Sequence, residues 1–191
     1  MADPSATSLI SQEEKRKLAA FYWRRKAIEE GDFLLASGKR SRYYIDSRLV
    51  TTHPPALKLI AEILARGIPA AVSSPFKLLA PVLSGVPVAI AVGLELGSDA
   101  VFDRGQKKAH GQGRRFEGIL AKGDRLVLVD DLITAGSTLK GTVEAVRTEG
   151  AETREAFVVV DRLEGGRELL ESLEIQLHTL ITVKELFEYK P

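Results

Sequence analysis

Residues 125–138 read RLVLVDDLITAGST, and the fold turns on this stretch. Leu126 to Val129 is a continuous apolar run of valine and leucine side chains, the composition of a strand buried on both faces. Two acids, Asp130 and Asp131, close the run. A short stretch of small and hydroxylated residues follows, and TLKGTVEAVRTEG then carries helical spacing. Each part has a use. The backbone N–H groups of Thr134, Ala135, Gly136, Ser137 and Thr138 stand at a helix N-terminus, a natural seat for phosphate. Small side chains at Ala135 and Gly136 let the backbone come close. Asp130 and Asp131 are acceptors, so they suit ribose hydroxyls or hydrated Mg²⁺ rather than phosphate. Phosphate donors on one side and sugar acceptors on the other describe a ribose phosphate pocket. The plainer alternative is that Asp131 or Thr134 caps the helix. A Walker loop is excluded, because no Gly-Lys-Ser/Thr follows four spacer residues, and so is a Gly-x-Gly-x-x-Gly turn.

Outward from this corner the chain alternates strands and helices. Ser11 and Glu14 form a capping box ahead of a helix predicted to run to about Glu30, with Gly31 as its stop. Residues 33–46 alternate around Ser37-Gly38-Lys39 as a hairpin. Pro54 and Pro55 open a second helix, with Gly67 as its stop. AAVSS (70–74) reads as a short strand, Gly85 as a turn, and the following VPVAIAVGLELG as a helix. AVFD (100–103), REAFVVVDR (154–162) and IQLHTLI (175–181) are further strands, residues 166–173 a helix, and VKELFEYK (183–190) a terminal helix. RGQKKAHGQGRRFEG (104–118) has no apolar period and reads as a long loop or loose hairpin. This order predicts an α/β fold, a parallel sheet covered on both faces, with ligands at the carboxyl ends of its strands.

The bulk numbers agree with one soluble domain. The chain has 191 residues, 45% hydrophobic and 28% charged, enough apolar content for a core without staples. No apolar run is long enough to cross a bilayer, and MADPSATSLISQEEKRK lacks the apolar stretch of a secretory signal. Cysteine is absent, which excludes disulfides and thiolate metal sites and permits a cytoplasmic setting. Net charge is +1, so no global field points to nucleic acid or membrane. Basic residues nevertheless cluster at Lys39, Arg40 and Arg42 and from Arg104 to Arg115.

VLVDDLITAGST resembles the diphosphoribose-binding signature of type I phosphoribosyltransferases. FLLASGKRSRYYID (33–46), PVLSGVPVA (81–89), RGQKKAHGQG (104–113) and VVVDRLEGGR (158–167) narrow the resemblance to the orotate phosphoribosyltransferase family. The resemblance implies one type I phosphoribosyltransferase domain over residues 1–191, a parallel sheet flanked by helices. Its small N-terminal hood would cover roughly residues 1–50 and its core 51–191. The implied reaction joins 5-phosphoribosyl 1-diphosphate (PRPP) to orotate, giving orotidine 5′-phosphate and pyrophosphate on the route to UMP.

By the same resemblance, Asp130 and Asp131 contact the ribose, directly or through Mg²⁺, the implied cofactor. Leu132, Ile133, Thr134, Ala135, Gly136, Ser137 and Thr138 cradle the 5-phosphate. Thr134, Arg162, Tyr43 and Tyr44 lie at orotate, a guanidinium fork suiting a planar anion. Lys108 and His110 meet the diphosphate as catalytic groups beside Asp131, with Arg104 at the loop base and Lys107 as a helper. Segment 104–115 is expected to be shared between the subunits of a homodimer. For Arg162 the alternative is a surface ion pair with Glu164; for the two tyrosines it is ordinary hairpin packing. His53 and His178 read as structural.

The chain departs from the family pattern at three positions. Ala36, Ser84 and Gly105 stand where some members carry a basic residue, so three diphosphate contacts are missing, with Lys39, Arg40 or Lys107 as compensators. Two other readings remain at this point: a phosphoribosyltransferase for another base, and a PRPP-sensing regulator without catalysis.

Overall fold

The computed structural model describes residues 9–34, 38, 40–73, 75–106 and 114–191. In chain order the elements are α1 (Gln12–Arg24), β1 (Ile28–Leu34), β2 (Arg40–Ile45), α2 (Arg48–Thr51), α3 (Pro54–Ala71), β3 (Lys77–Pro81), α4 (Gly85–Leu96) and β4 (Ala100–Asp103). They continue with β5 (Phe116–Glu117), β6 (Arg125–Ile133), α5 (Ser137–Thr148), β7 (Glu152–Asp161), α6 (Gly166–Glu171), β8 (Gln176–Thr182) and α7 (Val183–Glu188). Six strands form one sheet in the order β5-β4-β3-β6-β7-β8. Its pairs are parallel except β4–β5, so the expected parallel α/β sheet is present. β1 and β2 form a separate antiparallel hairpin. Among the described residues, no helix is long and apolar enough to cross a membrane.

The continuous apolar strands conceal a period of two. In β6, Leu126 and Leu128 join the core beneath α5 and α6, with Leu139, Val143 and Leu170. Val127 and Val129 face the other way, into the core built with α3, α4 and α1 around Ile60, Leu64, Val88 and Tyr22. In β7, Ala156 and Val158 take the first face and Phe157 and Val159 the second. Burial on both faces is what makes each strand read as unbroken apolar sequence.

Several predicted boundaries move. The Ser11–Glu14 capping box is present, but α1 ends at Arg24 rather than Glu30. Lys26 adopts a left-handed φ of +52°, and Ala27 and Ile28 are buried where the chain turns into β1. β1 exposes most of its residues, so it carries no alternation to announce a strand. α3 runs through Gly67 and Pro69 to Ala71. Gly67 is not a stop: a Cβ there would lie 2.2 Å from Leu9 Cδ2, so the position is small because the N-terminal segment packs on it. AAVSS is therefore not a strand. Its alanines finish α3, and the strand is Lys77–Pro81, a short apolar run of the kind whose type periodicity cannot assign. Gly85 opens α4 rather than making a separate turn. β5 pairs with β4, so the ends of the 104–118 segment form a hairpin stem, while residues 107–113 lie outside the described residues.

Candidate active site

Three parallel strands end at buried acids on one edge of the sheet. Asp103 closes β4, Asp130 and Asp131 lie in β6, and Asp161 closes β7, all at 5% exposure or less. β6 continues two residues past its acids, with Ile133 opposite Asp161.

The chain then passes through Thr134 and Ala135 to Gly136, the residue before α5, in a left-handed conformation (φ +78°). No side chain caps α5. This disposes of the capping alternative for Asp131 and Thr134 and leaves the first-turn N–H groups for an anion. The turn is held from behind by Gly166, where a Cβ would meet the Thr134 carbonyl oxygen at 2.4 Å and Ile133 Cγ1 at 2.6 Å. Only a residue without a side chain lets α6 press so closely on this backbone.

A cleft of about 360 Å³ lies over this corner. β6 and the start of α5 line it with Asp130 to Thr134 and Gly136 to Leu139, and Tyr44 to Arg48 and Ser84 line it as well. The predicted sugar acids, most of the predicted phosphate loop and Tyr44 thus share one space. Ala135 is not part of the lining, and neither are Tyr43 and Arg162.

The two acids meet at one oxygen. Ser84 Oγ donates to Asp130 Oδ1 at 2.9 Å, and the Asp131 N–H donates to the same oxygen at 2.9 Å. Burial and the neighbouring Asp131 charge push the Asp130 carboxyl well above its usual range. Burial also raises Asp131, opposed by hydrogen bonds from its surroundings and by the Arg48 charge. Two crowded carboxyls with unfavourable ionised forms are a place where hydroxyl donors or a hard cation would be welcome. Among the described residues no cluster of three or more His, Asp or Glu could hold a metal alone.

Arg162 is not at the surface: its side chain is 4% exposed. It pairs with Glu164 at 2.7 Å, lies over the Tyr43 ring at 4.9 Å and points Nη2 toward Ser41 Oγ at 3.5 Å, while its buried Nε has no hydrogen-bond partner among the described residues. Tyr43 also packs edge-on against Phe187 at 5.4 Å. The ion pair with Glu164 and the hairpin packing of Tyr43 are therefore both real. Arg104 pairs with Glu117 at 2.9 Å. Arg40 pairs with Asp32. Lys39, Lys107, Lys108 and His110 lie outside the described residues. His53 precedes α3 and packs on Phe21 at 5.6 Å; His178 stacks on Phe157 at 4.4 Å and meets Glu155 at 2.7 Å.

Sequence reasoning missed Asp46, Ser47, Arg48 and the hydrogen-bonding part of Ser84. Tyr22, fully buried, meets Ser47 Oγ through its hydroxyl at 2.5 Å, and Ser47 Oγ donates to the Asp131 carbonyl at 3.3 Å. Arg48 grips Asp46 through Nε at 2.7 Å and Nη2 at 3.0 Å. The residues Asp46, Ser47 and Arg48 of the YYIDSR run carry the signal, but only folding brings them beside β6.

The pattern of the phosphoribosyl transferase domain family matches residues 48–184. The chain is 38% identical over 174 residues to the orotate phosphoribosyltransferase of Pyrococcus furiosus, covering 91% of this chain and 96% of that one. It is also 38% identical over 174 residues to the orotate phosphoribosyltransferase of Methanocaldococcus jannaschii, covering 91% and 97%. The crystal structure of orotate phosphoribosyltransferase from Aeropyrum pernix superposes with a TM-score of 0.78 at 30% identity, covering 90% of this chain and 97% of that one.

Proposed function

The chain belongs to the orotate phosphoribosyltransferases of the phosphoribosyl transferase family, and from that premise we propose that its cleft joins PRPP to orotate, releasing pyrophosphate and orotidine 5′-phosphate. The observation that carries the reading is the uncapped N-terminus of α5 facing the same cleft as two adjacent buried carboxyls, both raised chiefly by burial.

The residues divide the substrate between them. The backbone of residues 132–138 holds the 5-phosphate, with hydroxyls of Thr134, Ser137 and Thr138 as added donors. Asp130 and Asp131 accept from the ribose hydroxyls, and Ser84 keeps Asp130 turned by its hydrogen bond. Tyr44 on the cleft wall faces the base. Arg162 and Tyr43 form a stacked pair that stiffens the hairpin at that end, and the unpartnered Nε is a donor an orotate oxygen could take up. The hard oxygen donors of the acid pair fit Mg²⁺ held together with substrate oxygens and water; when bound, it would neutralise phosphate charge.

In the reaction the bond from the anomeric carbon to the diphosphate oxygen breaks, and its electron pair leaves with the diphosphate. The base nitrogen forms the new bond and yields its proton to solvent. Orientation does much of the work, because both partners are fixed in one cleft. Lys108, His110 and Arg104 are assigned to the leaving diphosphate, where positive charge opposes the negative charge that builds. A homodimer sharing segment 104–115 and a cytoplasmic setting belong to the same reading.

The test is a mixture of protein, Mg²⁺, PRPP and orotate, followed by loss of orotate absorbance. The expected result is orotate consumption with pyrophosphate formed one for one. Turnover of uracil or a purine with orotate untouched would reassign the base. No turnover with any base, despite PRPP binding, would leave a PRPP sensor instead.

A further inference from the structure

The cleft has acceptors for the ribose and amides for the 5-phosphate, yet its described walls offer little for a diphosphate. Three acids line it, Asp46, Asp130 and Asp131, and among the described lining residues Arg48 is the only cation. The remaining hydroxyl on that side, Ser84, is uncharged and turned onto Asp130.

Arg48 is well placed to fill the gap. It is the first residue of α2, directly after Ser47. Ser47 is buried, hydrogen-bonded to the Asp131 carbonyl and to Tyr22, so the root of Arg48 is fixed beside the end of β6. The side chain itself is 58% exposed. Its described partner is Asp46, two residues away, and a solvated pair of this kind opens readily. The guanidinium lies within electrostatic reach of Asp131 and Tyr44. A carboxyl on the ribose 2′ and 3′ hydroxyls neighbours the anomeric carbon, while the phosphate loop holds the opposite, 5′ end. A cation beside Asp131, carried by the 46–48 turn and not by the phosphate loop, is thus on the side where the diphosphate departs.

We propose that Arg48 is a ligand of the donor's diphosphate, exchanging Asp46 for phosphate oxygens when the donor binds; this rests on the PRPP reading of the cleft. The planar fork that now grips a carboxylate matches two phosphate oxygens equally well. As the one cation among the described lining residues, it would oppose the charge on the diphosphate as the bond to the anomeric carbon breaks.

Arg48→Gln and Arg48→Lys in the full chain test this. Arg48→Gln is expected to raise the KM for PRPP about tenfold or more, the scale of one lost charge-assisted hydrogen bond. Pyrophosphate, titrated calorimetrically with Mg²⁺ present, should weaken by a similar factor, while the KM for orotate and the melting midpoint stay unchanged. Arg48→Lys should recover part of the loss, keeping charge without the fork. Unchanged PRPP KM and pyrophosphate affinity in Arg48→Gln would overturn the proposal, and so would a rise confined to orotate KM. If the parent protein turns over no orotate, the function reading fails, but the pyrophosphate titration of parent against variant still decides the role of Arg48.

Discussion

Asp130 illustrates how the site works against the fold that carries it. The residue is 4% exposed and its carboxyl shares its surroundings with Asp131, so ionisation is disfavoured. Both hydrogen bonds described for it arrive at Oδ1, from Ser84 and from the Asp131 N–H. An asparagine oxygen can accept both, so Asp130→Asn removes the charge and keeps the geometry. The variant is expected to melt higher by roughly 2–4 °C, the shift that about 1 kcal/mol brings in a chain of this size, while losing most turnover. Thermal denaturation without ligand checks the first part and the orotate assay the second; an unchanged or lowered midpoint would mean the acids are not in conflict. These two acids were legible in the sequence because strand, acids and phosphate turn are contiguous. Arg48 and Ser84 were not, because they reach the same cleft from the hairpin side and from the start of α4, and no local pattern records that meeting.

At the scale of elements, the stem of the 104–118 segment is fastened by one buried acid. Asp103 accepts from Arg115 Nε at 2.7 Å and Nη2 at 2.8 Å, from Thr142 Oγ1 at 2.7 Å and from the Gly105 N–H at 2.8 Å. Arg115 Nη2 also donates to the Gly141 carbonyl at 2.9 Å, so β4, β5 and α5 meet at this knot. These bonds hold the Asp103 carboxyl below its ordinary range despite burial. Arg115→Met keeps the bulk and removes the charge, leaving Asp103 nearly unexposed without its counterion. We expect a loss of about 2 kcal/mol in folding stability, read from denaturant midpoints, the scale of leaving a buried acid without its charged hydrogen-bond partner. A loss near zero would show that Thr142 and Gly105 suffice for Asp103. The sequence announced the strand AVFD and the basic run after it, but not that Arg115 folds back on Asp103. The same limit explains α1 and β1. A charged stretch, Glu29 to Asp32, continues the helical look of what precedes it, and only pairing with β2 makes it a strand.

At the scale of the molecule, two populations of acids set opposing responses to pH. Asp103 and Glu185 lie below their ordinary values in the folded chain, Asp103 through Arg115 and Thr142, Glu185 through Lys15 and the Thr182 cap, in each case against burial. Each contributes stability that is present above about pH 4, the unfolded value, and lost as pH falls through the lower folded value. Asp130 and Asp131 lie above their ordinary values. Between about pH 4 and their raised values the folded chain binds more protons than the unfolded one, so unfolding free energy falls as pH rises through that window. Cooling the conflict by mild acid therefore stabilises the ligand-free protein, and stronger acid then unfolds it as the lowered carboxylates take up protons. The denaturant midpoint is expected to rise from neutral pH toward about pH 5 and to fall steeply below about pH 4. In Asp130→Asn the rise should shrink while the acid fall remains, since Asp103 and Glu185 are untouched. A parent curve that only declines from neutral pH downward would mean that the acids at the end of β6 carry no strain.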